Sequence, residues 1–384
     1  MENNGANKAL RILVTGAAGF VGKNLVATLK CEGYTAGMLF DVDTPKEALA
    51  AYAARAGFVF HLAGVNRPKD PAEFYEGNRG FTEHLLHLLA QAGSKAPVLV
   101  TSSIQAELDN DYGRSKREAE ELVFAHERAT GAPALVYRMP GLFGKWCRPA
   151  YNSVVATFCH NIAHGLPIEV RDPAYSLPLC YIDDVVQSFL AALEGRAARD
   201  CSLPGYCHLM CDSYEVTLGE LARLIESFRD SRRTLAVPDM ADPFTKKLYA
   251  TYLSYLPPEA FSYPLDMHCD ARGSFTEFLR SPERGQVSVN VAKPGVVKGN
   301  HWHHTKNEKF LVVQGEAVIR FRRVDDPART VTEYRVSGGR LEVVDIPTGY
   351  THNIENVGEG DLVTVMWANE PFDPAHPDTF FDEV

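Results

Sequence analysis

The chain has 384 residues, enough for two or three domains, and 45% hydrophobic with 23% charged residues supports substantial buried cores and excludes the disordered and collagen-like classes. Its 39 basic and 49 acidic residues leave a formal charge of −10, so no basic field exists to draw in nucleic acid. A single phosphorylated substrate held by local donors remains compatible with that balance.

The opening MENNGANKALRILV lacks a basic region followed by a long apolar stretch, which argues against a signal peptide. Pro149 to Ile168 carries no Lys, Arg, Asp or Glu, but its two prolines, a glycine, two Asn and two His exclude a spanning helix. A cytoplasmic protein without a membrane partner is expected. Eight Cys without a Cys-x-x-Cys pair read as buried, reduced thiols.

From RILVTG (11–16) onward, short apolar runs alternate with helical patterns: GKNLVATLKCEG (22–33), FVFHLAG (58–64), TEHLLHLLAQAG (82–93) and VLVTSS (98–103). That order predicts βαβ units and a doubly wound α/β domain of Rossmann type with a parallel sheet, over 1–245. The first strand runs into Gly16, Gly19 and Gly22 and then into a helix. Gly16 permits the tight turn, Gly19 lets backbone approach a pyrophosphate, and Gly22 lets the helix close on the sheet. Asp41, ending TAGMLFD, stands where an acid bonds the ribose hydroxyls of a dinucleotide. Such a carboxylate disfavours a 2′-phosphate, so the choice between NADH and NADPH stays open at this point.

Tyr112 and Lys116 are four apart, on one helical face, behind a strand that ends in Ser103. A cation beside a phenol favours the phenolate, so Tyr112 can exchange a proton with a carbonyl oxygen while hydride moves at the carbon. Lys116 can also hold a nicotinamide ribose, and Ser103 can bond the same carbonyl oxygen. With HLAG (61–64), Asn78, YRMPGLFG (137–144) and CYIDDVV (180–186), residues 10–240 resemble the extended short-chain dehydrogenase/reductase family. The resemblance implies a nucleotide-activated sugar as substrate.

The Pro-containing stretch 238–261 reads as a bridge. Beyond it the period becomes two: Val287, Val289 and Val291 alternate with Ser288, Asn290 and Ala292, followed by short strands punctuated by Gly and Pro. An all-β barrel over 246–384 is expected. His301, His303 and Glu308, followed by Pro347-x-Gly349-x-x-His352-x-x-x-Asn356, look like the two cupin motifs, except that Leu341 stands where the second motif usually opens with Gly. Three imidazoles and a carboxylate suit zinc, iron, manganese, nickel or copper. His304, on the opposite face, reads as structural.

KGNHWHH, EKFLVVQGE and IPTGYTH also resemble metal-free sugar-nucleotide 3,5-epimerases, which implies a base at His301 and an assisting amine at Lys309. With GVNRP (64–68), SSIQAELDNDYGRSK (102–116), KWCRPAYNSVVATFCHNI (145–162) and GNHWHHTKNEKFLVVQGEA (299–317), the chain closely resembles, over nearly its whole length, a bacterial family of bifunctional enzymes of capsular polysaccharide precursor synthesis. That resemblance implies C3 epimerisation of a UDP-4-keto-6-deoxy-HexNAc by the cupin and reduction of its C4 ketone by the other domain. The expected product is UDP-2-acetamido-2,6-dideoxy-L-talose, on the route to UDP-N-acetyl-L-fucosamine, made with NADPH and zinc in a homodimer. The alternative is a 4-ketoreductase whose cupin serves only dimerisation and stability.

Overall fold

Strands covered on both faces need apolar residues at successive positions, and β1 (Ile12–Thr15), β2 (Met38–Phe40), β3 (Phe58–His61), β4 (Val98–Ser103) and β5 (Ala134–Met139) have them. The structure, a computed structural model, describes residues 8–35, 37–281 and 283–384. With the two-residue β8 (Tyr206–Cys207), these strands form a parallel sheet in the order β2-β1-β3-β4-β5-β8. Its faces divide the strands residue by residue. Ile12, Val14, Phe58, Phe60, Leu99 and Tyr137 pack to one side, Leu13, Val59, Val98, Val100 and Val136 to the other.

Helices α1 (Phe20–Cys31) and α7 (Ile182–Leu193) cover the first side, whereas α2 (Lys46–Ala53), α4 (Phe81–Gln91) and α5 (Asp111–Thr130) cover the second. The short α3 (Ala72–Phe74) passes through a π-helical turn, Tyr75–Gly80, into α4. A small sheet of β6 (Gly141–Phe143), β7 (Ser176–Tyr181) and β9 (Tyr214–Thr217) follows the main one, along with α6 (Val154–Ala163). The doubly wound α/β expectation holds.

The chain divides into two compact units, and the division falls inside α8 (Leu218–Thr234). The first unit runs to Glu226 and takes in Pro243–Pro257, which includes α9 (Pro243–Leu253); the second holds Ser227–Asp242 and Pro258–Val384. In the first, Lys247 of α9 donates to Asp184 at 2.6 Å and to the Tyr214 hydroxyl at 2.8 Å.

The second unit contributes β10 (His268–Asp270), β11 (Gly273–Ser281), β12 (Gly285–Ala292), β13 (Val297–Trp302), β14 (Glu308–Gln314) and β15 (Glu316–Arg323). Then come β16 (Val331–Ser337), β17 (Val343–Ile346), β18 (Tyr350–Asn356), β19 (Leu362–Ala368) and β20 (Phe380–Phe381). They form two antiparallel sheets, β10-β11-β12-β19-β14-β17 and β16-β15-β18-β13-β20, a cupin-like arrangement. An apolar cluster including Phe310, Val312, Ile319, Phe321, Ile346, Ile354 and Leu362 forms its core. Along β12 the alternation has a polar inside: Ser288 and Asn290 are buried, while Val287, Val289 and Val291 are half-buried on the outer face. Among the cysteines, Cys159, Cys180 and Cys207 are buried as expected, but Cys31, Cys201 and Cys269 are exposed.

Candidate functional site

In a parallel sheet all strands end on one edge, and β1, β3 and β4 deliver the candidate groups of the first unit there. Gly16 leaves β1 with φ +69°, and a Cβ on it would sit 2.7 Å from the Ala63 nitrogen just after β3. A Cβ on Gly22 would lie 2.2 Å from the Gly16 carbonyl oxygen, so α1 closes on this turn only without a side chain. Gly19 precedes α1 and offers its first N–H groups no side-chain acceptor, which leaves that end suited to a bound pyrophosphate. Because the Gly22 clash is with backbone, Gly22→Ala is expected to cost about 1–3 kcal/mol and to weaken dinucleotide binding. Thermal melts and a fluorescence titration with NADH and NADPH check both.

Asp41 closes β2, and its carboxylate accepts the Ala18 N–H at 2.7 Å and the Val42 N–H at 2.9 Å. It therefore lies against the glycine turn and holds it. Ser103 ends β4, accepts the Gln105 N–H at 3.1 Å and stands beside the Tyr112 phenol. Asn110 caps α5 by accepting the Gly113 N–H at 2.7 Å, so Tyr112 stands in the first turn with Lys116 one turn on. Lys116 Nζ donates to the Thr101 carbonyl at 3.2 Å. A Cβ on Gly64 would come within 2.8 Å of Asn78 Oδ1 and 2.9 Å of that Nζ, which explains the glycine of HLAG.

Burial pushes the Lys116 ammonium down to about 8, with Glu120 opposing. Burial also raises the Tyr112 phenol, with Ser103 opposing. Helical spacing alone points to a phenol lowered by its cationic neighbour; in the protein alone burial dominates, and Ser103 rather than Lys116 is what opposes it.

Behind this trio lies a polar wall that links His61 of HLAG and Asn78 through residues far apart in the chain. His61 bonds Thr15 Oγ1 and Thr82 Oγ1, each at 2.8 Å, and Thr82 donates onward to the Asn78 carbonyl at 2.6 Å. Thr82 therefore accepts from His61 Nε2–H. Burial, followed by Lys116, pushes His61 down to about 3, so the ring is neutral. Asn78, in the π-helical turn, uses its side chain to bond Val65 N at 2.9 Å, Val65 O at 2.9 Å and Ser115 Oγ at 3.0 Å.

In the second unit, ligand atoms of His301, His303, Glu308 and His352 all lie within 4.8 Å of one another. Glu308 Oε2 is 3.3 Å from His352 Nε2 and 3.5 Å from His303 Nε2. Those three atoms are buried and have no hydrogen-bond partner among the described residues. Each such orphan costs about 1–3 kcal/mol unless another group takes it up, and a divalent cation accepts all of them at once. The donor set fits a metal. Burial, then His352, pushes His301 down to about 4, leaving its ring neutral. Burial opposes ionisation of Glu308, but His303 and His352 together hold its carboxyl well below the usual range.

Lys309 requires a correction. Adjacent strand residues face opposite ways, and with Glu308 inward Lys309 is exposed on the outer face, ion-paired with Asp345. The structure does not bring it to the four ligands. On β13, Lys298 does face inward. A bulge between Gly299 and His301 on β13 puts Lys298 opposite Ile354 and His301 opposite His352, hence on one face. Lys298 donates to Asn290 Oδ1 at 2.7 Å and to the Val291 carbonyl at 2.9 Å. The signal was Gly299-Asn300 inside a strand, where glycine marks a bulge. His304 is exposed, its ring 4.5 Å from Trp302 and 4.9 Å from Phe380.

Residues 12–201 match the NAD dependent epimerase/dehydratase family, and residues 268–380 match the polysaccharide biosynthesis C-terminal domain. The UDP-2-acetamido-2,6-beta-L-arabino-hexul-4-ose reductase of Pseudomonas aeruginosa is 43% identical, over 97% of this chain and 98% of that protein. The capsular polysaccharide assembling protein CapF from Staphylococcus aureus superposes with a TM-score of 0.91 at 49% identity, over 98% of this chain and 100% of that one. The spore coat polysaccharide biosynthesis protein SpsL of Bacillus subtilis is 27% identical over 29% of this chain and 79% of its own length. With both units matched in one continuous relationship, the chain belongs to the CapF family of two-unit sugar-nucleotide reductases.

Proposed function

We propose that the chain acts twice on a UDP-4-keto-6-deoxy-HexNAc. The second unit inverts C3, and the first reduces the C4 ketone with NADPH, giving UDP-2-acetamido-2,6-dideoxy-L-talose on the route to UDP-N-acetyl-L-fucosamine. One arrangement carries the reading: Ser103, Tyr112 and Lys116 gather at the strand ends beside the glycine turn.

The nicotinamide supplies hydride when bound. Tyr112 then protonates the C4 oxygen, Ser103 bonds that oxygen, and Lys116 holds the ribose. At C3, the neighbouring ketone makes the proton acidic. A divalent ion, zinc in this proposal, supplies Lewis acidity when held by His301, His303, Glu308 and His352. Lys298, on the same inner face, presents a cation that can balance the enolate charge after the C3 proton has passed to solvent and until a solvent proton returns to the opposite face of C3. No described helix is long and apolar enough to cross a membrane, and a cytoplasmic homodimer is the working form proposed.

Proton NMR of the 4-keto UDP-sugar in heavy water tests both steps. Deuterium is expected at C3 without nicotinamide, and loss of the ketone on adding NADPH. Absence of C3 exchange reduces the second unit to a non-catalytic module; persistence of the ketone rejects the reductase. Asp41 favours a second reading on one point, because its carboxylate beside the glycine turn disfavours a 2′-phosphate. A higher kcat/KM with NADH would decide for that cofactor.

Lys116 adds a pH signature. Its ammonium is pushed down to about 8, so the cation is lost as pH rises through that value. For the free enzyme, kcat/KM for the nicotinamide cofactor is expected to bend downward above pH of about 8. Lys116→Arg, which keeps its charge, should remove the bend whatever its effect on the plateau. An unchanged bend in that variant assigns the titration to another group.

A further inference from the structure

The segment that closes the chain lies beside the four candidate ligands. Strand β20 pairs with β13 through Phe381 opposite His301 and Phe380 opposite Trp302. Phe381 is 78% and Phe380 41% exposed, so apolar burial contributes little to holding this strand. Polar bonds do that. Arg322 donates to the Asp382 carboxylate at 2.7 Å and to the Glu383 carbonyl at 2.6 Å, and the Asp382 N–H donates to the Asn300 carbonyl at 3.0 Å.

The strongest fastening is Asp378. Its carboxylate accepts the N–H groups of His304, Thr305 and Lys306 at 2.9, 2.7 and 2.8 Å, and the Thr305 hydroxyl at 3.0 Å. Burial opposes ionisation, but these donors hold the carboxyl well below the usual range. The backbone carbonyl of the same residue meets His303 Nδ1.

That last contact has a chemical consequence. A neutral imidazole carries one proton, and a carbonyl can only accept, so the bond puts the proton on Nδ1. The Nε2 lone pair is then left toward Glu308, 3.5 Å away. From this geometry we infer that Asp378 is a positioning residue for the metal site: its carboxylate clamps the 304–306 turn while its carbonyl fixes the His303 tautomer and ring orientation. Hydrogen-bonded partners of metal-binding histidines act in this way. The inference rests on the proposed metal site.

The test uses the full chain and zinc(II) alone, with affinity read by competition against a chromophoric chelator. Asp378→Ala is expected to weaken zinc binding about 10–100-fold, and to lower the melting temperature of the metal-free protein as well, since four hydrogen bonds to its carboxylate are lost. Imidazole nitrogen-15 spectra of the metal-free protein should show His303 as the Nδ1–H tautomer in wild type and as a tautomer mixture in the variant. A merely structural role moves the melting temperature but not the tautomer. Asp373→Ala, in the same segment but bonded among the described residues only to Ala375 and His376, serves as the control and should leave zinc affinity unchanged.

Zinc affinity of Asp378→Ala within twofold of wild type overturns the assignment. If that variant does not fold, Asp378→Asn, which keeps one acceptor oxygen, decides by the same criterion. A wild-type chain that binds no zinc refutes the metal site itself, a different failure from unchanged affinity in the variant.

Discussion

Tyr112→Phe is expected to reduce ketone reduction by about 10²–10⁴-fold while C3 exchange from solvent continues at the wild-type rate. The substitution removes one hydroxyl and leaves the ring, whose centroid lies 5.5 Å from that of Phe74, so α5 keeps its seat. What is lost is the proton delivered to the C4 oxygen. Ser103 still accepts the Gln105 N–H and Lys116 still reaches the Thr101 carbonyl, so cofactor affinity should change little. The NMR experiment in heavy water reads both activities in one tube. Loss of C3 exchange along with reduction would mean that the two steps share a site.

His352→Ala should release the metal. The ring is 1% exposed, and its Nε2 lies 3.3 Å from Glu308 Oε2, so the substitution removes one of four donors and one of the two imidazoles beside that carboxylate. The change is expected to abolish stoichiometric zinc after dialysis. It should also abolish the rise in melting temperature that zinc gives the wild type. At free zinc a hundredfold above Kd, that rise corresponds to about 2.7 kcal/mol. Elemental analysis and paired melts with and without zinc measure both. His304→Ala, which alters an exposed ring against Trp302 and Phe380, should keep its metal. Full metal retention by His352→Ala removes His352 from the ligand set.

Groups close in the chain could be read from sequence, and groups joined over long range could not. Gly16, Gly19 and Gly22 were legible because a strand, a turn and a helix start within a dozen residues. Tyr112 and Lys116 were legible because helical spacing is fixed. His301 and His303 could be read from strand alternation, and the same rule argues against Lys309: once Glu308 points inward, its neighbour points out. Lys298 was missed because an unseen bulge reverses the alternation between it and His301. The His61 network joins Thr15 and Thr82, which meet only through the packing of β1, β3 and α4. The Asp378 bond to His303 spans 75 residues and carries no periodic trace. Exposed Cys31, Cys201 and Cys269 show that thiol burial follows local packing rather than residue type.

The bulge at Gly299-Asn300 makes chain length itself a carrier of meaning in β13. Asn300 sits at φ 59°, an extra residue for which β18 offers no opposite number. Removing it would set Gly299 beside His301, opposite Asn353 and His352, and Lys298 would stay opposite Ile354 on the inner face; losing the bulge with Asn300 kept in the ladder is what would turn Lys298 to water and Val297 inward. A relative without the bulge therefore keeps the same faces with one residue fewer, and an alignment that slides the gap away from Asn300 through this stretch will pair a lumen lysine with a surface valine.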